Sequence, residues 1–262
     1  LSLRPVSEVP IETCRDLIGV FCDIDDTLTW DGEIVPAAMD ALFAARAAGL
    51  HVVPITGRPA GWVDYLARMW PVDGVVGENG GLWFYMKGGQ MHRRFAQPAE
   101  VRSQNRARLT ALGEHILQQV PGCALASDQP YRELDLAIDF CEDVPRLPDA
   151  AIDAIQACFH AAGATCKVSS IHVNGWFGDF DKLSGCRSFV DDFYGQPLDP
   201  KRWAYFGDSA NDEPMFAEFP TSIGVANVRD FLDRMSSHPA WICEGNGGHG
   251  FAEGMRVLLD RR

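Results

Sequence analysis

The chain has 262 residues, of which 47% are hydrophobic and 23% charged, which is the composition of an ordinary globular protein. This length allows one large domain or two smaller ones. The formal net charge of −13 argues against nucleic acid or an anionic membrane surface as a partner, because both attract basic surfaces. An anionic ligand would therefore have to be held by local cations.

The eight cysteines include no CxxC pair, which argues against a zinc site or a disulfide framework and favours a reducing compartment. Residues 1–10 lack the apolar core of a signal peptide, and no apolar run reaches membrane-spanning length. We therefore expect a cytoplasmic protein without membrane association. The sequence does not indicate the oligomeric state.

In the first third of the chain, apolar runs alternate with helical segments and the connections are short. The pattern predicts strands at 17–21, 50–55 and 72–76, and helices at 37–48 and 60–70. This order is typical of a parallel sheet that is covered by helices on both faces.

The pattern changes after residue 81, where a β-hairpin is predicted at 82–86 and 90–95. An αββαββ unit follows, with a helix at 99–120, strands at 123–127 and 133–141, a helix at 148–162, and one bent strand or a pair over 164–177. The α/β alternation then resumes with a helix from 182 to 193, a strand at 203–206, a helix at 213–218, a strand at 220–225 and a helix at 248–259. We predict an α/β fold with a three-layer, Rossmann-like parallel core (1–96 and 179–262) and an inserted α+β cap (97–178).

The first predicted strand runs directly into Asp23, Asp25 and Asp26. Carboxylates this close raise one another's pKa, so a bound cation is the simplest way to keep them ionised. A helix-loop-helix calcium site is excluded, because Leu28 and Ile34 stand where that loop needs Gly and Glu. An acidic turn that merely caps the strand is the remaining alternative.

Other polar residues are expected at the same edge of the sheet, because they follow a predicted strand or begin the helix at 182. They are Thr56, Gly57, Arg58, Lys182, Asp208, Asn211 and Asp212. Ligands collect outside the carboxyl ends of parallel strands. Each residue alone has an ordinary explanation, such as a turn, a helix cap or a solvated lysine, but their order along the chain favours a common site.

With these residues in this order, the chain resembles the haloacid dehalogenase superfamily of phosphohydrolases. The four superfamily motifs match Asp23-x-Asp25-x-Thr27, Thr56, Lys182 and Gly207-Asp208-x-x-Asn211-Asp212. The insert between the second and third motifs, with its Glu78-Asn79-Gly80 turn, is similar to that of C2-capped members (subfamily IIB). These are the Cof-type, sucrose-phosphatase and mannosyl-3-phosphoglycerate-phosphatase group.

The resemblance implies a phosphatase that acts on a small phosphorylated sugar or glycosyl compound through an aspartyl-phosphate. Asp23 would be the nucleophile and Asp25 the general acid and base, with Lys182 as a counter-charge. Mg²⁺ would be held by Asp23, the backbone carbonyl of Asp25 and Asp208, while Asp212 would hold a metal-bound water. The Thr56 hydroxyl and the Gly57 N–H would bind the phosphoryl group, and Asn211 would also contact the substrate.

Two alternatives to a phosphatase stay open. A phosphomutase of the phosphomannomutase type is consistent with Asp25, but it needs cap cations for a second phosphate, and the cap strands offer only Arg132 and Lys167. A non-catalytic binding protein is the other alternative, although such a protein would be expected to have lost a motif residue.

The cap strand at 169–177 places Ser170, His172, Asn174 and Trp176 on one face by alternation. This face is interpreted either as a site for the substrate headgroup, to which we assign His172 and Asn174, or as a solvent-facing surface. Arg58 either closes over the phosphate or pairs with Asp64. Asp26 is expected to have no role in the reaction.

Overall fold

The structure is a computed structural model that describes residues 3–169 and 171–262. Within these ranges the α-helices are α1 (Ile11–Asp16), α2 (Pro36–Ala47), α3 (Ala60–Met69), α4 (Ala99–Gln119), α5 (Asp149–Ala161), α6 (Lys182–Tyr194), α7 (Glu213–Glu218) and α8 (Gly247–Asp260). The strands are β1 (Arg4–Pro5), β2 (Gly19–Asp23), β3 (Thr29–Trp30), β4 (Glu33–Ile34), β5 (His51–Ile55), β6 (Val75–Gly77), β7 (Leu82–Lys87), β8 (Gln90–Phe95), β9 (Ala124–Leu125), β10 (Asp135–Asp139), β11 (Thr165–Val168), β12 (His172–Trp176), β13 (Trp203–Gly207), β14 (Thr221–Gly224) and β15 (Trp241–Ile242). Short 3-10 helices include Glu78–Gly80 after β6 and Ala210–Asp212 after β13.

The main sheet has the strand order β1-β15-β14-β13-β2-β5-β6-β7-β8. All neighbours from β1 to β6 pair in parallel, whereas β7 and β8 form the predicted antiparallel hairpin. The central strand β2 pairs with β13 on one side and with β5 on the other, and Asp23 lies opposite Ile55. The three polar stretches that follow these strands therefore meet at one edge of the sheet.

Helices cover both faces of the sheet, and the alternation along β2 explains why. Cys22 points into an apolar cluster that includes Leu42 of α2 and residues of α3 and α8. The preceding residue, Phe21, points into a second cluster that includes Phe189 of α6 and residues of α7. A strand that is buried on both faces requires a layer of helices on each. The predicted three-layer α/β class is confirmed.

The inserted segment contains the predicted order α4-β9-β10-α5-β11-β12. Its four-stranded antiparallel sheet has the order β11-β12-β10-β9, so the segment 164–177 is a pair of strands and not one bent strand. Ile116, Ile138 and Phe159 form a separate apolar core between this sheet and its helices. The division at residues 97 and 178 stays a prediction.

The third strand begins later than predicted, at Val75 instead of Val72. Asp73 explains the difference, because its backbone N–H and its carboxylate both bond to Val52 of β5 and replace the regular ladder there. The prediction also missed α1, β1 and β15. Among the helices in the described ranges, none combines the length and apolar composition that a membrane-spanning helix requires.

Candidate active site

Three carboxylates form a buried cluster at the carboxyl edge of the sheet. Asp23 ends β2, Asp208 follows β13, and Asp212 lies in the turn after it. One carboxylate oxygen from each lies within 4.8 Å of the others, and all three side chains are buried. The structure thus brings together three of the residues that were expected at this edge.

Lys182 is the counter-charge of this cluster. It is the first residue of α6, whose N-terminus is capped by the Asp181 side chain. Its Nζ lies 2.9 Å from Asp23 Oδ2 and 2.7 Å from Asp212 Oδ1. Burial opposes the charge of Lys182, but Asp212 and Asp23 outweigh it and raise the pKa of Lys182 above its usual value.

Both oxygens of Asp212 already accept hydrogen bonds. Oδ1 accepts from Lys182 and from the Tyr205 hydroxyl at 2.5 Å, and Oδ2 accepts the backbone N–H groups of Asp208 and Ser209 at 3.0 and 3.3 Å. Asp212 therefore fixes both the lysine and the backbone that carries Asp208. The contact of Tyr205 with Asp212 could not be predicted from the sequence, because Tyr205 is there only one of several large residues in a buried strand.

The charges of the cluster are unbalanced, since a single lysine faces three carboxylates. Burial raises the pKa of Asp23 to about 7 against the effect of Lys182, and Asp212 and Asp25 add to the rise. Burial, then Asp212 and Asp23, raises the pKa of Asp208 well above its usual value. A buried site with oxygen ligands and excess negative charge has the ligand chemistry that suits Mg²⁺. The residues present therefore fit a hard divalent cation.

The Asp25 side chain lies apart from this cluster and pairs with Arg58. The Arg58 Nε and Nη2 atoms are each 3.0 Å from Asp25 Oδ1, and Nη1 is 3.0 Å from Glu142 Oε1. The alternative in which Arg58 pairs with Asp64 is wrong, because Asp64 pairs with two other arginines, Arg68 and Arg93.

The segment after β5, residues 56–58, contacts the Asp25 side chain. The Thr56 hydroxyl lies 3.5 Å from Asp25 Oδ2 and accepts the backbone N–H of Arg58 at 2.9 Å. The Gly57 carbonyl accepts a hydrogen bond of 2.8 Å from Arg132, a residue of the predicted cap. This segment therefore contacts the acid–base candidate on one side and the predicted cap on the other.

A small cavity lies between the sheet edge and the predicted cap. Eight of the residues singled out from the sequence line it: Asp23, Asp25, Gly57, Arg58, Asp208, Asn211, His172 and Asn174. Thr56, Lys182 and Asp212 are not among its lining residues; all three are buried. Asp26 is also absent from the lining, and its N–H bonds to Thr29 Oγ1.

His172 and Asn174 lie on β12, every residue of which is buried. The interpretation of this strand as a solvent-facing surface is therefore wrong. His172 Nε2 lies 2.8 Å from Glu142 Oε2, and Asn174 Nδ2 donates to Asp135 Oδ2 at 3.0 Å. His172, and after it Arg58, lowers the pKa of Glu142 to about 2.

The other two residues of the predicted cap face do not extend this lining. Trp176 packs against Phe180 and donates to its carbonyl at 3.1 Å, so its ring belongs to the apolar core and not to the cavity. Ser170 lies outside the described residues. Trp176 therefore contributes no aromatic surface to the cavity.

Glu78 is the most important residue that the sequence did not reveal. It follows β6 with a left-handed φ of 45°, and its side chain is fully buried. Its carboxylate accepts four backbone N–H groups, one from Ala60 (2.9 Å) and three from 133–135 (2.8, 2.6 and 3.2 Å). Burial, and then Asp135, raises the pKa of Glu78 to about 7. The only cue in the sequence was an acidic residue in a glycine-rich turn after a strand.

Arg132 was also missed as a structural residue. It is 1% exposed, and its guanidinium bonds to Asp128 at 3.0 Å and to Asp135 at 2.9 Å as well as to the Gly57 carbonyl. Burying an unpaired guanidinium costs free energy, and the ion pairs and the hydrogen bond of Arg132 offset that cost. Arg132 therefore joins the predicted cap to the segment after β5.

The sequence model of the haloacid dehalogenase-like hydrolase family matches residues 20–104. No curated protein matches the chain in sequence. Solved structures do match in fold, among them the Thermoplasma acidophilum protein 0175, with 19% identity, a TM-score of 0.73, and coverage of 92% of this chain and 98% of that one. A putative HAD/COF-like hydrolase from Plasmodium vivax has 16% identity, a TM-score of 0.69, and coverage of 97% and 100%.

A third similar structure is BT4131, which is described as a sugar phosphatase of HAD subclass IIB. It shares 16% identity at a TM-score of 0.60 and covers 91% of this chain and 97% of its own length. At these identities the likeness demonstrates the fold alone. The sequence match includes Asp23, Asp25 and Thr56, so this part of the chain is similar to haloacid dehalogenase-like hydrolases, and the fold is similar to that of the solved structures above.

Proposed function

We propose that the protein is an Mg²⁺-dependent phosphatase that hydrolyses a small phosphorylated sugar or glycosyl compound through an aspartyl-phosphate. The observation that carries this proposal is the position of Asp23. It lines a cavity together with Asp25, it lies 2.9 Å from Lys182, and it shares a buried carboxylate cluster with Asp208. The family match and the sugar phosphatase among the similar structures support the same reaction class.

In the first step, an oxygen of Asp23 attacks the phosphorus while the bond to the leaving oxygen breaks. Protonated Asp25 gives its proton to that oxygen, so that an alcohol leaves and an aspartyl-phosphate remains. In the second step, Asp25 takes a proton from water as the water oxygen attacks the phosphorus. The bond to Asp23 then breaks, and phosphate is released with both aspartates restored.

The neighbouring residues have supporting roles. Lys182 balances the charge of Asp23, and Asp212 holds Lys182 in place. Arg58 orients the Asp25 carboxylate through two hydrogen bonds of 3.0 Å, and the Thr56 hydroxyl and Gly57 N–H bind phosphoryl oxygens. Mg²⁺ held by Asp23, Asp208 and the Asp25 carbonyl would supply positive charge for the phosphoryl oxygens.

A phosphomutase is less well supported by the charges of the predicted cap. A mutase must hold a second phosphate, yet Arg132, which lines the cavity, is already paired with Asp128 and Asp135, and Lys167 does not line the cavity. The cap side of the cavity also presents His172 and Asn174, side chains that suit the hydroxyl groups of a sugar.

A panel of sugar monophosphates and glycosyl-phosphoglycerates, assayed for phosphate release with Mg²⁺, tests the proposal. We expect release without a bisphosphate activator, whereas a strict need for one would favour the mutase. His172→Ala and Asn174→Ala should raise KM for the best substrate by about tenfold or more, because each removes a hydrogen-bonding group. Their KM for p-nitrophenyl phosphate should change much less, and equal effects on both substrates would remove the two residues from the headgroup site.

A further inference from the structure

Asn79 is a cavity residue to which the mechanism above gives no role. It lies in the turn after β6, next to Glu78, with φ 55° and ψ 31°. Its side chain is 95% buried, since 5% of the residue is exposed, and it lines the cavity that contains Asp23 and Asp25. Among the residues that the structure describes, no acceptor lies within hydrogen-bonding geometry of Asn79 Nδ2.

The backbone around Asn79 is firmly held, so the open donor does not reflect a loose turn. The Asn79 N–H donates to the Thr56 carbonyl at 3.1 Å, and the adjacent Glu78 is anchored by its four backbone hydrogen bonds. A left-handed φ is unfavourable for most side chains but tolerated by asparagine and glycine. The chain therefore presents this amide at a fixed position.

That position is beside the proposed phosphoryl-binding segment. A Cβ atom built on Gly57 would lie 3.3 Å from both Nδ2 and Oδ1 of Asn79, so the amide packs directly against the Gly57 backbone. A neutral donor suits this place, because the cations of the site are already paired. Lys182 pairs with Asp23 and Arg58 with Asp25, while Arg132 pairs with Asp128 and Asp135. Buried polar groups in native proteins are nearly always hydrogen-bonded, so an unpaired donor that lines a cavity is available to a group that enters the cavity.

We propose that Asn79 is a phosphoryl-binding residue whose amide donates a hydrogen bond to a phosphoryl oxygen of the substrate and of the phosphate product. This inference rests on the proposed phosphatase function and adds a further segment, the turn after β6, to the phosphoryl site. A contact to the phosphoryl group is shared by every substrate, whereas a contact to the headgroup is not. The two roles can therefore be separated by experiment.

The test measures binding of inorganic phosphate by calorimetry in the presence of Mg²⁺, together with kcat/KM for several phosphate esters. Asn79→Gly removes the amide but keeps the left-handed backbone unstrained. Losing a hydrogen bond to a charged group should weaken phosphate binding and lower kcat/KM by about 10- to 100-fold, by the same factor for every ester. Asn79→Asp keeps the shape, cannot donate when ionised and repels the phosphoryl group, so its loss should be at least as large.

Asp31→Gly is the matched control, because Asp31 is exposed and also has a left-handed φ of 53°. It should bind phosphate as the wild type does, and melting temperatures of all variants establish that they are folded. Wild-type phosphate affinity in both Asn79 variants would overturn the proposal, as would a loss confined to one ester. If the wild type hydrolyses esters while the Asn79 variants do so equally well, only this inference fails. If the wild type neither binds phosphate nor hydrolyses any ester, the proposed function fails with it.

Discussion

Asp23 combines two properties that are usually in conflict, because a nucleophile must be ionised and a buried carboxylate resists ionisation. Lys182 offsets only part of the cost of burying Asp23, since Asp212 shares the same ammonium group. Burial still raises the pKa of Asp23 to about 7. The buried, ionised Asp23 carboxylate is therefore reactive but lowers the stability of the folded protein, a combination that is common at functional sites.

Asp23→Asn separates these two properties. We expect kcat to fall by at least about a thousandfold, because the amide cannot form the acyl-phosphate. In EDTA at pH 8 the same variant should melt at a higher temperature than the wild type. The substitution removes a buried carboxylate whose ionisation destabilises the folded state. Steady-state kinetics and calorimetric melting measure the two effects.

Asp26→Asn is the control for this prediction. Asp26 lies three residues along the same stretch but outside the cavity lining, and asparagine tolerates its left-handed φ of 56°. Its activity should stay close to that of the wild type. Substantial turnover by Asp23→Asn, or an equal loss in Asp26→Asn, would contradict the assignment of Asp23 as the nucleophile.

At the scale of elements, the turn after β6 connects the sheet to the predicted cap. Glu78 offers two carboxylate oxygens to four N–H groups, three of which belong to the segment 133–135 that leads into β10. Arg132 adds the bond to the Gly57 carbonyl from the other direction. These contacts place β10 and, through its pairing with β12, His172 and Asn174 over the cavity.

Glu78→Gln should loosen this connection. An amide NH₂ would face backbone N–H donors, so at least one of them loses its acceptor, at a cost of about 1–3 kcal/mol. We expect a lower melting temperature and faster amide hydrogen exchange at 133–135, with a decrease in kcat/KM because the headgroup residues are displaced. Hydrogen-exchange mass spectrometry resolves the local effect.

Glu133→Gln provides the comparison, because Glu133 is an exposed neighbour whose carboxylate makes one long ion pair of 3.4 Å with Arg102. A surface pair of this kind contributes little, so exchange at 133–135 should be unchanged. Equal exchange in Glu78→Gln and the wild type would mean that Glu78 does not hold the two parts together.

Elements with a strong local pattern were predictable from sequence, and those defined by distant partners were not. Strand β2 and helix α2 could be recognised because a buried strand and a capped helix have distinctive composition. Strands β1 and β15 have two residues each, which is too short for any periodicity, and they exist only because they pair with one another.

The contrast between local patterns and distant partners also explains which site residues could be predicted from the sequence. Asp23, Lys182 and Asp208 were found because they follow or precede regular elements in a known order of motifs. Glu78 and Arg132 act on segments about 55 and 75 residues away, and nothing in their local sequence indicates those partners. The pairing of Arg58 with Asp25 and Glu142 instead of Asp64 has the same origin, since helical proximity to Asp64 was the only local cue.

For the whole molecule, the net charge of −13 and the buried carboxylates both make protonation and cation binding favourable. The raised pKa of Asp23 means that the folded protein keeps a proton that the unfolded chain has released between about pH 4 and pH 7. Stability in the absence of metal should therefore fall as the pH rises through this window. Glu78, with a pKa raised to about 7, changes stability in the same direction.

Mg²⁺ should reverse part of this fall, because it binds the deprotonated cluster and not the protonated one. At pH 8, Mg²⁺ at about 100 times its Kd would add roughly 2.7 kcal/mol, which corresponds to a rise in melting temperature of about 5 °C or more for a chain of this size. At pH 5 the rise should be much smaller, since Asp23, with a pKa of about 7, is then largely protonated. Melting curves with EDTA and with Mg²⁺ at both pH values measure the difference. Asp208→Asn should abolish the Mg²⁺-dependent rise at pH 8, while an equal rise at the two pH values would show that Mg²⁺ stabilises the protein at some place other than this cluster.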